Sequence, residues 1–458
     1  MFFRRKKRGL VSEDPTKPGL SRRILNTLLL VLLFRLLAAI PVANVDEEKL
    51  HALLAHNPLL GAIDLFAGGE VLTSFSIVAV GLFPYLFAAG IVALATHFVP
   101  ALRELSENKA KEKRFERSAT AAKVLLAFVL GWGLTRYLSL ASGLQTGKLH
   151  WLTRSELLST FLTVSLVTAG SWFTEKIKDW ITDHGIGPGE SVILVVGSSL
   201  AFVSRVFDVI YGSGATHGVM RQLIVSGAVG LVVIFLSVYL ARAERKIPMT
   251  PIRKEAAGSR PGFRPPARQE YLSLPLNRGG SAPVASALGF IALFQIAALF
   301  LAWAFPGKLP ALENALLAPT HPEHGLYWAI LAVLVILFTY LTNFAFLWKP
   351  FKDSDLSMAE HLRRQGQFFI AGIQPGAKTA SYLSHIVGRI TLPAALLLAF
   401  LAAGLPYLIL HFTGQNHAVA ILAVVVFVRS LLEVGRSFSD WRRIDGGYEG
   451  FLKKRSVN

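Results

Sequence analysis

The chain has 458 residues, 53% of them hydrophobic and 17% charged, with a mean hydropathy of +0.49 and a formal net charge of +18. A soluble domain keeps about a quarter of its residues charged because it meets water on every side, so a water-facing globule of this size is excluded. Cysteine is absent, which removes disulfides, thiolate metal sites and cysteine nucleophiles.

The N-terminus carries Arg4, Arg5, Lys6, Lys7 and Arg8, then an apolar run, then Pro41-Val42-Ala43-Asn44, an order shared with secretory signal peptides. Arg35 interrupts the run, the run is longer than a signal core, and many further apolar blocks follow, so it reads as a retained first span. Apolar blocks lie at 24–40, 75–99, 119–140, 157–173, 191–207, 223–240, 284–305, 326–348, 390–410 and 418–434, close to the roughly 20 residues that cross a hydrocarbon core. The expected class is an all-α membrane protein of about ten transmembrane helices. Arg35, Arg136 and Arg429 fall inside blocks. Ionisable groups at membrane depth face protein or a water-filled cavity, which favours a conduit over an anchor.

Before the second block, residues 58–66 form a short apolar segment closed by Gly68-Gly69. It is too short to span. Two readings stand: a half-helix re-entering from outside, which needs burial in protein or a cavity, and an amphipathic helix lying on the surface.

Lys and Arg gather in the even-numbered connections, from Arg103 to Arg117, at Lys176 and Lys178, from Arg242 to Arg268 and from Lys349 to Arg389. The odd connections are poorer, and the first is acidic at Asp46, Glu47 and Glu48. The positive-inside rule places the tail 1–23, the even loops and the tail 435–458 in the cytoplasm. Loops 241–277 and 349–388 are basic and far longer than the usual 4–6 residue connection. They are either solvated topology signals or a docking surface for a large cytoplasmic partner.

No catalytic group, cofactor site or metal site is expected. The histidines are scattered, His321 and His324 flank Pro322, and the glycine-rich 185–189 opens a membrane span with no preceding strand to build a phosphate loop. A secondary transporter of a small solute is the competing class, but it needs polar groups converging near the midplane, and these spans are mostly Leu, Ala, Val and Ile.

Arg35 with Ile40-Pro41-Val42, the stretch 65–69, the run 76–85, 165–168 followed by 181–189, Glu244-Arg245-Lys246-Ile247, and 366–369 with 372–376 occur in this order within the ten blocks. Together they resemble the SecY family, channel subunits of the bacterial protein translocase. The resemblance covers about 21–454 and implies two inverted five-helix halves, here 24–210 and 211–434, around an hourglass pore. It implies a pore ring of Leu82, Leu86, Leu194, Ala285 and Leu422, in which Leu82 and Leu86 stand one helical turn apart and share a face. A plug at about 58–69 would swing on Gly68 and Gly69, since glycine accepts dihedrals that other residues avoid. A lateral gate between the second and seventh spans would be loosened by Pro84 and Pro283, which lack backbone donors. Docking would fall on Arg245, Lys246, Arg363, Arg364 and Gln374. The implied partners are SecE-like and SecG-like small membrane subunits, a SecA motor ATPase and/or the ribosome, unfolded client polypeptides and membrane lipid. The implied place is the bacterial cytoplasmic membrane.

Three positions depart from the family pattern. Gln374 stands where an arginine is usual. Glu190 falls either at the waist in place of an isoleucine or at the N-terminus of the fifth span, where a negative charge is favourable. Residues 414–417 replace a Gly-Gly-Thr-Ser stretch, with Arg429 near a usual aspartate. These leave open an accessory paralogue with restricted clients.

Overall fold

Each of the ten apolar blocks overlaps a helix. The computed structural model describes residues 19–42, 57–99, 109–141, 156–212, 219–251, 270–305, 325–348, 368–370, 377–413 and 417–455, with Leu50, Leu54 and Leu102 as single residues. The first six helices are α1 (Leu20–Ala38), α2 (Pro58–Ala67), α3 (Phe83–Phe98), α4 (Lys109–Ala141), α5 (Glu156–His184) and α6 (Gly189–Gly212). After α7 (Val219–Arg242) come strands β1 (Glu244–Pro251) and β2 (Glu270–Pro275), then α8 (Ala282–Ala304) and α9 (Gly325–Trp348). Strand β3 (Phe368–Ile370) precedes α10 (Ala377–Ala399), which runs through a π turn (Phe400–Gly404) into α11 (Leu405–Thr413), and α12 (Ala418–Arg455) closes the chain.

Among the described residues, five segments are long and apolar enough to cross a membrane alone, and α5 with α6 form a further pair bent by 115°. The shorter apolar helices include α2, α3 and the second part of α7. A count of ten spans is consistent with this set.

One apolar core runs through both halves. The most extensive packing between the halves joins α6 to α12 and α3 to α8, that is, the fifth span to the tenth and the second to the seventh. Pairing of equivalent members is what two inverted halves require.

Two regions differ from the expected all-α outline. The second block is apolar from residue 75, but its helix begins only at Phe83. The loops 241–277 and 349–388 contribute a three-stranded antiparallel sheet in the order β2-β1-β3, with Lys246 opposite Ser273 and Met249 opposite Ile370. Ile247 and Leu274 are buried with Leu383, Ile386 and Val387 of α10. The sheet thereby sits on the end of the ninth span. Alternation of apolar and polar residues is short there and broken by Pro248 and Pro251, which hides the strands in the sequence.

Helices α1 and α12 meet at the bend between α5 and α6. Buried Arg23 donates from Nη1 to the Gly185 carbonyl at 2.9 Å and lies 3.8 Å from the Trp441 ring centroid. The Ile186 N–H donates to Thr27 Oγ1 at 3.1 Å. This clasp joins α1, the bend and α12. Arg23→Ala removes a charge-assisted bond and a cation–π contact, and thermal unfolding of the purified protein should show a loss of about 2 kcal/mol. Leu28→Ala, on the exposed face of the same helix, should cost under about 0.5 kcal/mol.

Candidate pore seal and plug

The short segment before the second span is a helix, α2, with sharply written ends. Asn57 caps it, its Oδ1 accepting from the N–H groups of Leu59 at 3.1 Å and Leu60 at 3.3 Å. Pro58 takes the first position, where a missing N–H costs nothing. Every residue from Pro58 to Ala67 is buried, which rules out the surface-helix reading. The helix touches α3, α6, α8 and α12.

At its far end the chain turns on Gly68 (φ 138°) and Gly69 (φ 68°), both in the region that favours glycine. There is also no room for a side chain. A Cβ on Gly68 would lie 2.4 Å from Cζ of Phe34, and one on Gly69 would lie 2.3 Å from the carbonyl oxygen of Gly197 in α6.

Two ionisable residues organise this turn, and the sequence pattern assigns neither role. The Asp64 carboxylate accepts from the N–H groups of Glu70 at 2.8 Å, Val71 at 3.0 Å and Leu72 at 2.7 Å. Arg35 in α1 donates from Nη1 to the Gly69 carbonyl and from Nη2 to the Gly68 carbonyl, each at 2.8 Å. The signal is present in part: a charge at membrane depth needs a partner, and Asp64 is the one charged residue in an apolar decapeptide.

Residues 75–82 are not helical, because their backbone is engaged elsewhere. Ser76 bridges to Pro41, Val42 N–H donates to the Phe75 carbonyl and Ile77 N–H to the Ile40 carbonyl, both at 3.0 Å. Phe75 (φ 42°) and Gly81 (φ 44°) lie outside helical space. The Gly81 carbonyl accepts from Ser171 Oγ at 2.7 Å, and Leu82 N–H donates to the Ala67 carbonyl at 3.1 Å. Pro84 then takes the second position of α3, and Pro283 the second position of α8. Pro283 precedes the expected block 284–305 and stands at a helix start, and Pro84, inside the expected block 75–99, also stands at one, where proline is pre-organised.

The residues expected to form the ring are all buried: Leu82, Leu86, Leu194, Ala285 and Leu422 are between 0% and 5% exposed and belong to one core cluster. Leu82 immediately precedes α3, and the others come from α3, α6, α8 and α12, all of which α2 touches. Leu86 is one turn from Leu82, its N–H donating to the Leu82 carbonyl at 3.2 Å. Leu194 follows Ile193, whose Cγ2 lies 3.6 Å from where a Cβ on Gly68 would fall, and Leu422 is one turn beyond Val419, which packs on Gly61. Leu422 also faces a cavity of about 20 Å³, lined by Val284, Leu398, Asn277 and Arg429 among others, which is room for about one water.

Between α3 and α8 the seam closes on small residues. A Cβ on Gly90 would lie 2.2 Å from Ser286 Oγ, and one on Gly289 would lie 2.3 Å from Cγ of Phe87. Phe87 meets Phe290 edge-on at 6.0 Å, and Phe290 meets Phe338 at 5.5 Å.

The sequence and the overall fold both match known proteins. The SecY family model aligns with residues 76–432. The translocase subunit SecY of Thermus thermophilus is 32% identical over 95% of this chain and 96% of its own. The chain belongs to the SecY family. The SecY of Synechocystis is 28% identical, covering 95% of each chain. In fold, the chain is similar to a solved protein-conducting channel with a TM-score of 0.61 at 14% identity, over 92% of this chain and 94% of that one. It is also similar to Sec61 in a canine ribosome-channel complex, with a TM-score of 0.58 at 14% identity over the same shares.

Of the positions that depart from the SecY pattern, Glu190 lies in the first turn of α6, one turn before Leu194. The helix dipole favours a carboxylate there. Close by, Ser191 Oγ donates to Glu433 at 2.8 Å, while Lys178 pairs with Glu175 at 2.6 Å. Arg245 and Lys246 are exposed on β1. Arg363, Arg364, Gln374 and 414–416 lie outside the described residues.

The seam makes a direct prediction. Gly289→Ala forces a methyl into Phe87, and overpacking of this kind costs about 1–3 kcal/mol. Thermal unfolding of the purified variant should fall by that amount, whereas Ala89→Leu, on an exposed face of α3, should change little.

Proposed function

We propose that this chain is a protein-conducting channel that passes unfolded polypeptide across the bacterial cytoplasmic membrane and releases apolar segments sideways into lipid. The observation that supports this most directly is the wholly buried half-helix α2, seated among the four helices that carry the apolar ring. A helix of 10 residues cannot span, and a stopper is the role that fits its position.

The channel performs no chemistry on its cargo and uses no cofactor. Leu82, Leu86, Leu194, Ala285 and Leu422 form a collar that offers no fixed polar partner to a passing chain and excludes ions by dewetting when empty. The plug, 58–69, caps the collar from outside and swings on Gly68 and Gly69. The halves 24–210 and 211–434 part along the α3–α8 seam, beside Pro84 and Pro283. An apolar passenger segment then partitions into lipid, and a polar one stays in the aqueous path.

The energy comes from a partner. The relatives are named as translocase subunits, and one structural neighbour is part of a ribosome-channel complex. SecE-like and SecG-like subunits in the membrane and a SecA motor or a ribosome on the cytoplasmic face fit this chain. The sheet with exposed Arg245 and Lys246, together with the loop carrying Arg363, Arg364 and Gln374, supplies the docking surface, and the tails 1–23 and 435–458 lie on the same side by the positive-inside rule.

Vesicles containing the reconstituted complex and a competent motor should import a secretory precursor. No import where another SecY succeeds rejects the reading. Leu82→Ser with Leu86→Ser should raise the resting ion leak by roughly tenfold or more, since each lost apolar contact is worth on the order of 1.5 kcal/mol; an unchanged conductance removes both residues from the collar. Charge reversal at Arg245, Lys246, Arg363 and Arg364 should weaken motor or ribosome binding, more so at low salt. Equal affinity across that series returns these residues to topology signals.

A further inference from the structure

Resting on the channel reading, we propose that Arg35 is the positioning residue of the plug: its guanidinium, forked across the Gly68 and Gly69 carbonyls, holds α2 in the closed seat and must let go before α2 can leave.

The hydrogen bonds of this region divide into two sets. The first is internal. The Asp64 carboxylate binds the N–H groups of residues 70–72, and its carbonyl accepts from Gly68 N–H at 3.2 Å and Gly69 N–H at 2.8 Å. These bonds make 58–72 one pre-formed unit, able to move without losing its own structure. The second set ties the unit to its surroundings. Leu82 N–H to the Ala67 carbonyl is the chain's own continuation. Asn57 Nδ2 donates to Tyr137 of α4 at 3.0 Å, at the opposite end from the glycines. At the pivot itself, the side-chain tie is the pair of Arg35 bonds, both 2.8 Å. Ser76, on the same continuation, donates from its N–H at 3.2 Å and from its Oγ at 2.9 Å to the Val71 carbonyl, and the contacts of Phe34 and Ile193 with Gly68 are apolar.

The tie falls at the point about which the unit must turn. Gly68 and Gly69 are positions of unusual backbone conformation, and Arg35 holds both of their carbonyls at once. A guanidinium is planar, and its fork matches two neighbouring acceptors in a way that an ammonium cannot. Burial works against its charge, and the carboxyl groups of Glu70 and Asp64, on the unit itself, attract it. Without Arg35, these two carbonyls would lose the side-chain donor that the described residues give them. The closed position would then lose its side-chain bonds at the pivot while the apolar collar stayed intact. Arg35 lies on α1, whose Leu32 and Leu36 are exposed, so the arginine reaches the plug from the periphery of the bundle and not from the collar.

The test uses the full chain with its membrane partners, reconstituted in vesicles with a motor. Three quantities are read for the native chain, Arg35→Gln and Arg35→Lys: import of a precursor with an intact signal, import of one with a defective signal, and ion leak at rest. Arg35→Gln should keep the first near native, and raise both defective-signal import and leak by about tenfold, the effect of one lost charge-assisted bond. Arg35→Lys, with one bond and the charge retained, should fall between. Arg35→Gln that matches the native chain in leak and in signal discrimination overturns the proposal. So does a variant that imports everything poorly without leaking, which marks a general structural role. If Arg35→Gln does not accumulate, Arg35→Lys is read alone by the same criteria, and failure of both to fold makes the arginine a folding residue and ends the proposal. Failure of the native chain to import any precursor is a separate result, against the channel itself.

Discussion

Backbone N–H and C=O groups inside a membrane have no water to fall back on, so non-helical chain at that depth must be satisfied by protein. The stretch from Gly68 to Leu82 is such chain, and the arrangement around the pore depends on how its groups are met. Arg35 takes two carbonyls, the Asp64 carboxylate takes three amides, Ser171 donates to Gly81, and residues 40–42 pair with 75–77. Each partner comes from a different place: the first span, the half-helix, the fourth span and the exit of the first. Satisfying one irregular loop thus fixes the relative positions of four elements. Burying α2 among helices of both halves follows from where that loop has to end.

The parts legible in the sequence are those whose signal is long or local. Ten apolar blocks stand out because about 20 apolar residues in a row suit a bilayer and little else. The half-helix expected at 58–66 is found at 58–67, because Asn57-Pro58 and Gly68-Gly69 are strong punctuation at both ends. What is hidden has equally plain causes. The run 75–82 is as apolar as any helix, and only tertiary bonds to residues 40–42 and Ser171 keep it from becoming one. Leu82 and Leu422 are two leucines among many, and only the family resemblance singles them out. Glu190 is ambiguous in sequence by one residue of alignment, a distance that separates a helix cap from a constriction. Asp64 reads as an anomaly until its acceptor role is seen.

The three-stranded sheet shows the same dependence on distant chain. β1 and β2 come from the loop after α7, while β3 comes from the loop before α10. Neither loop could form the sheet alone, and the sheet packs Ile247 and Leu274 onto α10. A load applied to one loop is therefore shared with the other and delivered to the ninth span.

The α3–α8 seam closes on Gly90 and Gly289, each already in contact with its neighbour's side chain. Glycine has nothing left to remove. Every substitution at these positions adds atoms, and every added atom pushes the two helices apart. Mutation at this seam is thus one-directional: chance can wedge it wider but has no single step by which to draw it tighter. A lineage needing a stiffer seam would have to find it elsewhere, in the aromatic contacts of Phe87, Phe290 and Phe338 or in the bonds that hold the half-helix, while a looser seam lies one nucleotide change away.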